Sequence, residues 1–380
     1  MSRALNASPR PKALIREVAI RMDKLHAAPD PSPPDQPPVA DEAKGDSVSF
    51  APFCYENWEA AAGDTPSLVA YEYPIFSDAQ IVGTADTGYG PYQLINTIAG
   101  GDRARPALIL RVEDHPVAPL RSEKETNTGR YHGGDLADEI AALVSLCLGI
   151  RAQSGNMTRV FEPGGDPRGT PVAYGHRDPD PIVPPPRPTP ILPRELKENT
   201  HNLDALAPLA DLLSLTPLQA VELVRAARSY QEAMWIAEGA PETAWLLFIS
   251  ALETAANRWR SEEEDPTTRL HISLPAVESL LRKQGGDTLV AQVAELLAPF
   301  LAPTTKFTNF VLAFLPKEPM ERPPAFYQLS WKKSDMKKSL SKIYKYRSDA
   351  LHGGIPFPLP MCAPPPDIRW GGCGNPCVHV

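Results

Sequence analysis

Proline limits this chain more than any other residue. Of 380 residues, 44 are proline, more than twice the usual ~5%, and they cluster. PDPSPPDQPP, Pro29–Pro38, holds six in ten residues, and HRDPDPIVPPPRPTPILP, His176–Pro193, holds eight. The ring removes a backbone donor and fixes φ, so neither stretch can form a helix or a central strand. Both are expected to be extended spacers. They divide the chain into a helix and tether over 1–47, a mixed α/β domain over 48–176, a linker over 177–194, a helical domain over 195–355 and a Pro/Gly-rich tail over 356–380. The expected class is α+β, a mixed α/β domain followed by an all-α bundle.

Between the spacers, periodicity supplies the elements. Leu14, Val18, Met22 and Leu25 give the N-terminal segment a helical stripe. Residues 48–117 read as strand and loop, with LVAYEYPIF (Leu68–Phe76) and ALILRV (Ala107–Val112) as the best strands. DLADEIAALVSLCLGIR (Asp135–Arg151) is a helix with acids in its first turns and a basic residue at its end. MTRVF and TPVAY flank the turn-rich EPGGDPRG as paired strands. After the second spacer the pattern turns helical. Thr216 is placed as an N-cap, with Pro217 at the first helical position and Gln219 closing a capping box. Further helices are expected over 242–260, 275–283, 287–301 and 304–315, and a last one from Ser334 to Gly353–Gly354.

The formal charge of −8 speaks against a protein that coats nucleic acid along its whole surface. A local basic site remains compatible with it, because screening confines distant acids to roughly 8–10 Å. No apolar run approaches the ~18–20 residues a membrane span needs, and MSRALNASPRPK lacks the apolar core of a signal peptide. A cytoplasmic protein with no membrane partner is expected. Five scattered cysteines suit a reducing compartment. Cys373, Cys377 and His379, with Cys362, match no strong zinc spacing. The acids near His132 are explained by a helix start, and GGDPRGT lacks the lysine of a phosphate loop. No metal or cofactor is implied.

The chemistry-bearing stretch is YRSDALHGG, Tyr346–Gly354. Arginine offers a permanently charged fork to phosphate oxygens, and histidine titrates near neutrality and can move protons. An Arg separated from a His by four to six residues also occurs at Arg21–His26 and Arg194–His201. Only Arg347–His352 closes the last helix of an all-helical region. Between Trp331 and Gly354 there are seven basic residues and two acids, Asp335 and Asp349, a local balance of +5. Such a helix suits a phosphate backbone. It would equally serve as a solvated face, and a basic residue before a terminal glycine is an ordinary helix ending.

YKYRSDALHGG, together with AWLLFISALETAANRW, resembles the Apea-like branch of the HEPN superfamily of metal-independent ribonucleases, over about residues 195–361. The resemblance implies a HEPN-like helical bundle, RNA as substrate and a homodimer. It also implies catalytic roles for Arg347 and His352, with Ser348 and Glu253 organising them and Glu253 facing Arg347. Ser348 stands where active members often carry Asn, Asp or His. Lys338, Lys342 and Lys345 are the expected substrate-binding residues, and Asp349 is placed to hold the His352 imidazole. Residues five apart lie about 140° around an ideal helix and ~7.5 Å along it. Arg347 and His352 therefore converge only if the last turn unwinds at Gly353 or two helix ends meet across a dimer. The expected function is an RNA endonuclease in a toxin-like or phage-defence role. Two alternatives are an inactive HEPN-like scaffold binding nucleotide or protein, and a regulatory protein whose function lies in the N-terminal domain.

Overall fold

The first core is built by a strand that alternates and a helix that does not. VAYEYPIF forms β1 (Val69–Phe76), and it pairs antiparallel with β4 (Leu108–Asp114) along its whole length. β3 (Tyr92–Asn96) extends the sheet beyond β4. On its other edge β1 pairs with β6 (Arg159–Phe161), then with β5 (Gln153–Ser154), and β7 (Thr170–Pro171) closes the order β3-β4-β1-β6-β7. Pro74 sits where β1 changes partner. Its carbonyl takes the Gly155 N–H at 2.7 Å while the Glu72 carbonyl takes that of Thr158 at 2.8 Å. The missing proline N–H faces the gap between them, which is how a central strand tolerates the residue. β2 (Gln80–Val82) pairs in parallel with β8 (Thr200–Asn202) as a separate ribbon.

One face of the sheet carries Ile75, Leu108, Leu110, Val112, Tyr92 and Leu94, all buried. In the same core is α2 (Leu136–Leu148), whose Ala137, Ile140 to Val144 and Leu148 are also buried. Asp135 caps α2 in a reciprocal capping box with Asp138, and Gly149 ends it in the left-handed region at φ 66. Arg151 lies beyond that cap and pairs with Asp78 rather than ending the helix. On the opposite face Arg111 and Arg159 reach Glu72 from the two flanking strands, at 2.6 and 3.0 Å. The small Ala70 lets Phe161 lie across β1 under both guanidinium groups.

The structure is a computed structural model that describes residues 51–97, 106–115, 134–165, 170–171, 181–184, 190–193, 196, 199–259, 265–298, 301, 303–320 and 328–364. The expected N-terminal helix and tether, His132 and the Cys373–Cys377–His379 group lie outside them. All described elements belong to one compact unit, Ser49–Val380.

One feature departs from expectation within 48–117. FCYENWEAAA is a helix, α1 (Phe53–Ala62), where strand and loop were expected. Its N-cap, Pro52, supplies no side-chain bond; the buried Glu139 of α2 does so instead, accepting the Cys54 N–H at 2.8 Å. Gly90, at φ 58, lies against Trp58 so closely that a Cβ would come within 2.2 Å of the indole nitrogen. Gly90→Ala should therefore cost about 2–4 kcal/mol, combining left-handed strain with overpacking, measurable by urea denaturation.

Beyond a 3-10 stretch, Leu203–Ser214, come α3 (Pro217–Ile236), α4 (Pro241–Arg258), α5 (Pro266–Ser273), α6 (Pro275–Leu297), α7 (Pro303–Ala313), α8 (Lys333–Gly353) and α9 (Leu359–Cys362). Helix α5 and the 3-10 stretch lie outside the expected helices, and the other boundaries fall close to expectation. The Thr216–Gln219 capping box forms, and the two helices expected over 275–301 join as α6 across Gly286, at φ 65. Thr216→Ala should cost about 1 kcal/mol, read as a lower melting temperature. The 177–194 stretch does not separate two cores, because Ala220, Val224 and Ala227 of α3 pack in the same cluster as the sheet and α2. Ile249 of α4, Phe307 of α7, Met336, Leu340 and Tyr344 of α8, and Phe357 form a second cluster. Among the described residues no helix is long and apolar enough to cross a membrane.

Candidate active site at the end of helix α8

Helix α8 has one narrow apolar stripe, Met336, Leu340 and Tyr344, spaced by four and buried. That spacing keeps three side chains on one face, turned toward α4 and α7. The Tyr344 and Phe307 rings lie 5.3 Å apart. Ile343, Tyr346 and Ala350 flank the stripe half-buried, and Lys332, Lys333, Lys337, Lys338, Lys342 and Lys345 are all exposed.

At the inner edge of the stripe, α4 and α8 exchange polar groups. Glu253 accepts the Tyr344 hydroxyl on Oε1 at 2.5 Å and Arg347 Nη2 on Oε2 at 2.6 Å. The Arg347 guanidinium lies 5.8 Å from the Tyr344 ring centroid. The Arg347 and Glu253 side chains are 20% and 18% exposed, so the pair is held more firmly than a surface pair and still reaches solvent. Arg347 Nε is buried and has no hydrogen-bond partner among the described residues. Burial, and then the bond to Glu253 and its charge, push the Tyr344 phenol well up, with Arg347 opposing. The phenol thus stays a donor at any physiological pH.

The other expected site residues fall differently. His352 is exposed in the last turn of α8. The helix keeps its course through Gly353 and stops at Gly354, which turns left-handed at φ 63 and donates to the Ala350 carbonyl. The last turn does not unwind, so within one chain the geometry of an ideal helix keeps His352 and Arg347 about 140° apart. Asp349 is engaged by Lys345 rather than by the imidazole. Ser348 is half-buried and makes no side-chain hydrogen bond among the described residues. Lys338 leans toward Asp335 at 3.6 Å, and Lys342 lies 5.7 Å from the Tyr346 ring centroid. Of the other two arginine–histidine spacings, Arg21–His26 lies outside the described residues. His201 sits in β8, and its Nε2 is 3.0 Å from the Leu196 carbonyl.

Sequence reasoning missed Tyr344, which reads as one more apolar-stripe residue. Its signal was the position three before Arg347, one turn away on the same side of the helix. Among the described residues no group of three or more His, Cys, Asp or Glu could hold a metal ion. No family model, curated protein or solved structure matches this chain.

Proposed function

We propose that the helical region is a metal-independent RNA endonuclease of the Apea-like HEPN type, working as a homodimer. One observation carries the reading: Arg347 is fixed by Glu253 and Tyr344 at the end of a lysine-rich helix whose last turn presents an exposed histidine. A second copy supplies what the helix geometry withholds, an imidazole beside a neighbouring chain's guanidinium. In this reading His352 takes the proton from a ribose 2′-hydroxyl, and the 2′-oxygen attacks the adjacent phosphorus. The bond to the 5′-oxygen breaks, and that oxygen receives a proton from the second copy's histidine. Arg347 bears on the charge that builds on the phosphate oxygens. Lys338, Lys342 and Lys345 attract the backbone, and Ser348 and Glu253 organise the arginine and the histidine. Residues 48–176 recruit or restrain the nuclease in a toxin-like or phage-defence role in the cytoplasm.

The test is RNA cleavage in the presence of EDTA, with 2′,3′-cyclic phosphate and 5′-hydroxyl ends. Growth arrest on expression should be relieved by His352→Ala. A second reading draws on one specific observation: Glu253 already neutralises Arg347, as a structural ion pair would. A scaffold of that kind binds RNA or protein without cleaving it, and retains its binding in His352→Ala.

A further inference from the structure

The elbow between α3 and α4 carries a carboxylate that the proposed nuclease does not use. Glu238 is 2% exposed and sits in the tight turn where Gly239 and Ala240 both donate to the Ile236 carbonyl. Its two oxygens accept successive backbone N–H groups of the proline spacer: Ile191 on Oε2 at 3.0 Å and Leu192 on Oε1 at 3.2 Å. Beside it, Leu192 packs on Ala233, Ala237 and Ala244 together with Ile236, Leu247 and Phe248. The small alanines let the two helices approach and leave a shallow apolar seat.

We propose that this elbow is a recognition site for a short, bent peptide segment bounded by prolines, filled within the chain by Pro190–Pro193. The chemistry selects such a segment in two ways. A carboxylate buried this deeply must keep its acceptors filled, and in Pro190–Pro193 the two prolines have no N–H, so Ile191 and Leu192 are its two backbone donors and a bend at that pair turns both toward Glu238. The seat accepts one apolar side chain at the second position, which Leu192 fills. Ile191 and Leu192 are therefore latched to the helical region.

Native-state hydrogen exchange on the full chain tests the latch. The Ile191 and Leu192 amides should be protected, and Glu238→Gln should speed their exchange about tenfold or more while α3 and α4 amides stay unchanged. Exchange of those two amides at unstructured-chain rates in the unsubstituted protein would overturn the proposal. Recognition is tested in trans. Leu192→Asp should eject the segment, and a blocked synthetic peptide of residues 187–195 should then bind that variant. It should fail to bind Leu192→Asp/Glu238→Ala. Binding to neither, or to both alike, overturns recognition at this elbow. If Leu192→Asp does not fold, the milder Leu192→Ser takes its place in the same two binding measurements, with the same outcomes deciding.

Discussion

RNA cleavage should fall by at least ~10²-fold in His352→Ala, with no change in helical content or melting temperature. The stability half of that expectation follows from place: the imidazole is exposed in the last turn of α8 and packs in neither core cluster. The helix is ended by Gly354, not by the histidine. Arg347→Ala should behave otherwise. It strips the partner from Glu253 Oε2, a half-hidden carboxylate, so it should cost about 1–3 kcal/mol of stability as well as activity. Glu253→Gln keeps an acceptor for Tyr344 and loses the charge, separating the two roles. If His352→Ala cleaves at the unsubstituted rate, the nuclease reading fails whatever Arg347 does. If it loses activity only by unfolding, visible as lost helicity, the histidine is structural.

The second large effect is on stability and pH. Burial pushes the Glu139 carboxyl up from its ordinary 4.5 to about 7, partly opposed by the Cys54 and Phe53 amides and by Arg228. The folded chain thus holds a proton that the unfolded chain releases between those two values. Stability from this group is full below pH 4.5, falls as pH rises toward 7 and is level above it. At ~1.4 kcal/mol per unit the loss totals roughly 3 kcal/mol. Other groups titrate in the same range, so the informative quantity is the gap between the unsubstituted protein and Glu139→Gln. That gap should move by roughly 3 kcal/mol in favour of Glu139→Gln between pH 4.5 and 8, measured by urea denaturation. Parallel curves would contradict the assignment.

What could be read from the sequence was what depends on neighbours along the chain. The Thr216 capping box, the glycine stop of α8, the break at Gly286 and the alternation of β1 each involve residues within about one turn; the stop of α2 at Gly149, two residues before the expected basic end, did not come with them. Helix α1 escaped for the converse reason. Proline precedes it, its own sequence offers no cap, and the group that completes its first turn is Glu139, 85 residues away. The common core of α3 with the sheet is likewise a matter of which apolar faces meet in space. In the site, the meeting of Glu253 with Arg347 came from a family resemblance and is present in the fold. The role expected of Asp349 failed because Lys345, one turn earlier, reaches it first.

Helix α4 grips what lies across from it at two heights. Glu253 holds Arg347 within α8, and eight residues earlier the Trp245 indole donates to the Met361 carbonyl at 2.8 Å and stacks on Phe357. A pair of helices fastened at a single level can slip past one another by a turn, ~5.4 Å, and re-form equivalent contacts. Here such a slip of α8 would break the Glu253 pair, and one that carried the chain beyond Gly353 with it would break the Trp245 bond to Met361 as well, so the two fastenings together fix the register.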